Sequence, residues 1–298
     1  MGLTSILRGF AAMLLLLCVA MTGPLLLAAA GDEASLGGYL FGVIVTAVAG
    51  GGAYAASIGR HPPADFRGAL FIILLWWIAI PAFAAIPLAM EGLPYADAYF
   101  EAVAALTTTG GWLNPDAAYA TPAGMLWRAE LQWLGGLASL TIAAAIFIRP
   151  AFIGIDTLMP PFSRGDKASF LRPLRNAVSA FAGIYVIVTF AAFAALAVAG
   201  APTLEALAMA LSGVASGGFL PHENGLAAYP GAVTGVLFLL VVYSGANFVL
   251  LARLVRGNKE RVRDVETGAY VVMIIIVGVL FWLLAGAGGA LLIFPQLF

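Results

Sequence analysis

The 298 residues predict an all-α polytopic membrane protein, with about seven transmembrane helices and two short re-entrant pore helices arranged as parallel, channel-like repeats. Three observations predict it. Hydrophobic residues make up 62% of the chain and charged residues 10%, proportions that suit lipid rather than water as the solvent. Apolar runs recur at the length of a bilayer crossing. Two short glycine-bearing segments, Thr108-Thr109-Gly110-Gly111-Trp112 and Ala215-Ser216-Gly217-Gly218-Phe219, lie 107 residues apart, and each sits between an apolar stretch too short to cross and a full-length apolar run.

A crossing needs about 20 apolar residues. Runs of that kind cover residues 6–29, 36–58, 68–90, 124–148, 173–199, 230–252 and 267–287. Charge orients them. Lys and Arg occupy alternate connections: Arg8, then Arg60 and Arg67, then Arg149, Arg164, Lys167, Arg172 and Arg175, then Arg253, Arg256, Lys259, Arg261 and Arg263. The opposite connections carry Asp32, Glu33, Glu91, Asp97, Glu101, Asp116, Glu205 and Glu223, and only Arg128 departs from the pattern. The positive-inside rule places the basic side, and with it the N-terminus, in the cytoplasm. Seven spans put the C-terminus outside. The first run, with Ala28-Ala29-Ala30 before Gly31, also has the outline of a signal peptide. Its length, and the charge bias around the next span, favour a retained helix.

Between the third and fourth runs, residues 96–107 have helix-forming composition, with Asp97 in or just before the first turn, where an acid suits the helix dipole. Between the fifth and sixth, residues 204–214 form the matching helix, with Thr203 as N-cap behind Pro202. About 12 helical residues reach only ~18 Å, so each element dips into the membrane and returns. Non-helical backbone at that depth survives only when buried in protein or lining water. Glycine allows positive φ, so that successive carbonyls can face one axis and replace a cation's hydration shell. The negative C-terminal end of each short helix favours a cation in the same place. A single glycine-rich turn is ordinary between membrane helices; the repeat of spacing, sidedness and flanking spans is what sets these two apart. Both units run in the same direction, unlike the inverted repeats of many transporters. The expected units are an N-terminal helix pair at 1–59, membrane–pore–membrane units at 60–150 and 151–256, and the start of an incomplete third at 257–298.

Composition excludes other classes. A net charge of −1 points to no nucleic acid. Cys18 is the one cysteine, and His61 and His222 stand far apart, so neither a disulfide nor a cysteine or histidine metal cluster is expected. No acid, base and nucleophile gather as catalysis requires, and neither an enzyme nor a cofactor is expected.

At Phe100-Glu101-Ala102-Val103 running into Thr107-Thr108-Thr109-Gly110, at Trp127-Arg128 followed by Gln132-Trp133-Leu134-Gly135-Gly136, and at Ser212 to Phe219 with His222, the chain resembles the TrkH/KtrB superfamily of potassium uptake proteins, in the wider Trk/Ktr/HKT group. The resemblance covers most of the chain and implies potassium uptake through the inner membrane. In that family, four membrane–pore–membrane units surround a pore, and potassium is held by filter-loop carbonyls, each loop having a key glycine. Carried over, the filter would comprise Thr107, Thr108, Thr109, Gly110 and Gly111 with Val214, Ala215, Ser216, Gly217 and Gly218. The key glycines would be Gly110 and Gly217, and the carbonyls those of Thr107 to Gly110 and Val214 to Gly217. The resemblance also implies a dimer and a cytoplasmic nucleotide-binding regulatory ring. Ala215-Ser216-Gly217 departs from the family's Ser-Thr-Gly. Two filter loops do not enclose a cation, so a second copy or a complementing chain must supply the rest, or the polypeptide is an N-terminal piece; the seventh span, which opens a third unit, favours the piece. The rival readings are a sodium-permeable cation transporter, a solute transporter with glycine-loop binding, and a non-conducting auxiliary subunit or fragment.

Further residues carry paired readings. Arg128 and Glu130 read equally as shaping an outer vestibule or as an interfacial snorkelling pair. Glu101 reads first as a solvated residue at the mouth, and second as a partner for the filter backbone or a neighbouring helix. His222 and Glu223 read as a solvated loop ahead of a cation attractor, and Asn247 as an interhelical bond ahead of pore lining. Gly135-Gly136 and Gly245 read as close-packing sites ahead of hinges. The basic clusters at 164–175 and 253–263 set topology, with docking of a regulator or anionic lipid as the second reading.

Overall fold

In the computed structural model the described residues are 3–31, 33–59, 66–113, 121–147, 171–222, 224–245, 268–280 and 283. They form helices joined by turns. These are α1 (Leu3–Gly31), α2 (Glu33–Ala56), α3 (Phe66–Met90), α4 (Tyr95–Leu106), α5 (Pro122–Phe147), α6 (Leu171–Val198), α7 (Thr203–Val214), a 3-10 turn (Gly225–Ala228) and α8 (Gly231–Ser244), followed by α9 (Gly268–Leu280). Among the described residues, four stretches are long and apolar enough to cross a membrane: Leu3–Gly31, Ser35–Ala56, Leu70–Met90 and Phe181–Val198. At 26 residues α5 also has the length to cross, but its first half carries Arg128, Glu130 and Gln132. The expected spans at 230–252 and 267–287 are described only over α8 and α9.

The lipid-facing character is plain in what is left outward. Val48 is 70% exposed, Phe190 68% and Val198 91%, a distribution that suits a hydrocarbon solvent. Prolines lie inside helices, Pro24 in α1 and Pro81 and Pro87 in α3, as membrane helices tolerate.

The two larger apolar clusters among the described residues pack around the short helices α4 and α7. The first gathers Leu17, Trp76, Ile80, Leu106, Trp127 and Leu131 from α1, α3, α4 and α5. The second gathers Tyr185, Leu196, Met209, Val214 and Leu237 from α6, α7 and α8. Helix α5 belongs to both, because Trp133 and Leu134 flank the seam. Indole nitrogens are satisfied across helices: Trp127 Nε1 donates to the Ala84 carbonyl at 2.9 Å and Trp133 Nε1 to Thr189 Oγ1 at 2.9 Å, as buried indoles require.

The 12-residue helices α4 and α7 sit between longer ones as re-entrant elements. Each starts behind a proline held near φ −55°: Pro94 (φ −53°, ψ 138°) and Pro202 (φ −56°, ψ 145°). The N-cap of α7 is therefore Pro202, not Thr203. The proline carbonyl opens the ladder, accepting from Ala206 N at 2.7 Å, as Pro94 does from Ala98 N at 2.9 Å. Asp97 and Glu205 occupy matching places in the first turns.

Candidate functional site: the paired re-entrant loops

Both short helices end in the same way. After α4, Thr108 N donates to Ala105 O at 2.9 Å and Thr109 N to Ala104 O at 2.8 Å. After α7, Ser216 N donates to Gly213 O at 3.1 Å and Gly217 N to Ser212 O at 2.9 Å. This pair of bonds is the Schellman termination, whose left-handed position is ordinarily a glycine. Here it is held by Thr108 (φ 55°) and Ser216 (φ 54°). Left-handed backbone is costly for residues with a Cβ, above all a β-branched one. Two residues on, Gly110 (φ 68°) and Gly218 (φ 65°) turn the chain again.

These features fix the register. Pro94 and Pro202, Leu106 and Val214, Thr108 and Ser216, and Gly110 and Gly218 all repeat at 108 residues, one more than separates the two Gly-Gly pairs. Gly218, not Gly217, stands where Gly110 stands. Gly217 has a different reason to be glycine: a Cβ there would collide with the Gln132 side-chain amide. Thr107, Thr109, Ser216 and Gly218 are exposed, Thr108, Gly110 and Gly111 half-buried, and Val214, Ala215 and Gly217 buried. The Thr107 and Thr109 hydroxyls lie 2.9 Å apart, and Thr107 Oγ1 also donates to Val103 O at 2.8 Å.

Helix α5 holds the two loops together. Arg128, Gln132 and the Gly135-Gly136 pair recur at helical spacing along one face. A Cβ on Gly135 would collide with the Leu106 carbonyl, and one on Gly136 would lie 2.9 Å from the Ala215 Cβ. The end of α4 and the start of the second loop thus lie directly on the α5 backbone. Gln132, fully buried, accepts from Ser212 Oγ at 2.6 Å, and Ser212 Oγ accepts from Phe219 N at 2.7 Å. Arg128, also fully buried, donates through Nε (3.0 Å) and Nη2 (2.8 Å) to Glu101 Oε2, while Glu101 Oε1 accepts from Leu113 N at 3.3 Å. The Arg128 guanidinium stands 5.8 Å from the Trp112 ring, and Trp112 meets Phe219 edge-on at 4.9 Å. The residues that leave the two loops therefore touch each other.

A family model described as TrkH, a cation transport protein, matches residues 39–283. The chain belongs to the TrkH family. It is similar to the Trk system potassium uptake protein TrkH of Salmonella typhimurium, 26% identical over 227 residues, which cover 72% of this chain and 47% of that protein. It is also similar to the uptake protein TrkI of Halomonas elongata, 27% identical over 282 residues, covering 91% and 56% of the two chains. The crystal structure of the potassium transporter TrkH from Vibrio parahaemolyticus shares the fold, with a TM-score of 0.79 at 24% identity over 99% of this chain and 63% of that one. The chain spans about half the length of the curated relatives it matches. Those relatives are named for potassium uptake rather than for a chemical reaction, and the TrkH fold with its apolar helices makes this a multi-pass membrane protein.

Within this TrkH-family chain several expectations change. Glu101 is not solvated at a mouth but buried in an ion pair. Arg128 pairs with Glu101 rather than with Glu130, whose carboxylate instead faces Gly23 of α1. A salt bridge 27 residues apart leaves no local pattern, although two opposite charges in apolar surroundings were a usable hint. Gln132–Ser212, 80 residues apart, leaves none. A Cβ on Gly245 would collide with the Tyr270 hydroxyl, which donates to Val242 O at 3.2 Å, so close packing is what Gly245 provides. His222 Nδ1 accepts from Asn224 N at 3.1 Å and its ring lies 6.2 Å from that of Tyr229; the Tyr229 hydroxyl donates to the Glu205 carboxylate. The readings of Asp116, Glu223, Asn247 and the cluster at 253–263 lie outside the described residues, as do most of the cluster at 164–175 and most of the third unit at 257–298.

Proposed function

We propose that the chain forms the first half of a potassium uptake pathway in the inner membrane, with its N-terminus in the cytoplasm. The observation that carries this reading is the pair of re-entrant helices, with the same termination, repeated at 108 residues and meeting at Gly110 and Gly217. The ion-binding elements are Thr107 to Gly111 and Val214 to Gly218. In the register of the backbone, the carbonyls of Thr107 to Gly110 correspond to those of Ala215 to Gly218. Potassium sheds water at these oxygens, because carbonyl dipoles substitute for its hydration shell. The C-terminal ends of α4 and α7, each carrying about half a negative charge, add to the attraction. Transport needs no side-chain chemistry. Uptake by the TrkH and TrkI relatives supports potassium as the ion.

The units are 1–59, 60–150, 151–256 and 257–298. Two loops make half of a four-part ring, so the remaining loops come from a second copy or a complementing chain or segment. A cytoplasmic nucleotide-binding ring acts as regulator, and membrane lipid covers the outer faces. The test is rubidium uptake into uptake-deficient cells that express the chain alone or with a complementing C-terminal half. Uptake that disappears with Gly110→Asp or Gly218→Asp upholds the reading. No uptake by any combination of stably inserted protein overturns it.

A further inference from the structure

Gln132 is fully buried, yet only half of its amide is used. Its Oε1 takes the Ser212 hydroxyl, while Nε2 has no hydrogen-bond partner among the described residues. An unmatched buried amide is costly, so its retention calls for a reason. The surroundings supply one. The Gln132 amide abuts the Cα of Gly217, and its Nε2 stands 3.2 Å from where a Cβ on Gly110 would lie. The Gly217 carbonyl is 2.6 Å from that same point. Three backbone and side-chain groups, from the first loop, the second loop and α5, thus occupy one spot with no side chain between them.

We infer that Gln132 is a positioning residue that sets the separation and rotation of the two loops and so the discrimination between potassium and sodium. The inference rests on the uptake reading above. The brace has two arms. Through Ser212, Gln132 fixes the Phe219 amide, which follows the second loop directly. Through contact with Gly217, it limits how far that loop moves toward or away from Gly110. Discrimination between ions of different radius depends on the placement of the coordinating oxygens, in either of the current descriptions of a filter. A residue that holds two loops in one register acts on discrimination more than on the number of active molecules. Gln132 touches no ion in this account; it acts through Ser212, Gly217 and Gly110.

The test uses the full chain with two readouts. The first is the thermal midpoint of purified wild type, Gln132→Leu, Ser212→Ala and the double variant. Ser212→Ala is the milder change, so a folding failure in Gln132→Leu does not end the test. If the brace exists, each single variant lowers the midpoint and the double is no worse than the more damaging single, since coupled neighbours are non-additive. Additive shifts overturn it. The second readout is competition between sodium and rubidium in the uptake assay. Loss of about tenfold in preference for rubidium in both single variants, a size typical of coupled neighbours, with Ser212→Thr restoring most of it, is the expected result. Unchanged preference in variants that still transport overturns the inference and leaves a merely structural contact. Absence of uptake by the wild type itself overturns the uptake reading and with it the claim on discrimination, while the midpoints still judge the brace.

Discussion

The carbonyl oxygen of Gly217 lies 2.6 Å from the point where a side chain on Gly110 would begin. Two loops far apart in sequence thus approach each other backbone to backbone, and the absence of a side chain on Gly110 is what permits it. Gly110 also carries a φ of 68°, so it meets a steric and a conformational demand together.

Gly110→Ala therefore destabilises more than Gly218→Ala. Both place a Cβ on left-handed backbone, which costs roughly 1–2 kcal/mol. Only at Gly110 does that carbon also meet a backbone carbonyl, whereas around Gly218 nothing lies within 4 Å. Thermal midpoints of the two purified variants rank them; equal shifts would contradict the contact.

The buried Glu101–Arg128 pair sets a second expectation. Glu101→Gln leaves a guanidinium buried without its counter-ion, a loss of about 3–5 kcal/mol. Replacing both groups, as Glu101→Leu with Arg128→Met, recovers most of it. In the 108-residue register of the two short helices, Met209 stands where Glu101 stands, and Met209 is fully buried in an apolar core. A midpoint for the double variant no better than that of Glu101→Gln would contradict the argument.

On α5 and α6 the same substitution separates two kinds of glycine. Gly135→Ala drives a Cβ into the Leu106 carbonyl and prevents α4 from docking, so little folded protein is expected in detergent. Gly183→Ala meets nothing within 4 Å and gains roughly 0.5–1 kcal/mol of helix stability. Monodisperse yield after size-exclusion chromatography reads both.

Thr108→Gly removes the left-handed strain that ends α4. It raises the thermal midpoint by an amount worth about 1 kcal/mol, and Thr108→Ala, which keeps a Cβ at φ 55°, does not.

The long apolar runs and the two short helices were legible because lipid demands length and hydrophobicity, and both are written residue by residue. The paired loops were legible because the repeat includes a proline, an acid in the first turn and a glycine-bearing end. Their register was not. In the sequence the Gly-Gly pairs align at 107, but the two glycines of the second loop answer different demands. Gly218 supplies positive φ and Gly217 makes room for Gln132, whereas in the first loop Gly110 does both kinds of work. Glu101 reads first as solvated, and Arg128 reads with its near neighbour Glu130, because a partner 27 residues away leaves no local pattern; burial of both is tolerable only through that partner on another helix. Thr203 has the usual N-cap chemistry, but Pro202 before it already holds the entry angle and offers its carbonyl to the ladder.

The most direct test of the central claim is potassium flux into proteoliposomes that hold the purified chain together with a complementing C-terminal half, comparing wild type, Gly110→Ala and Gly183→Ala. Flux in the wild type and in Gly183→Ala, with loss in Gly110→Ala, is the predicted result. Equal flux through Gly110→Ala, or none through any of the three once insertion is verified, would contradict a pathway lined by these loops.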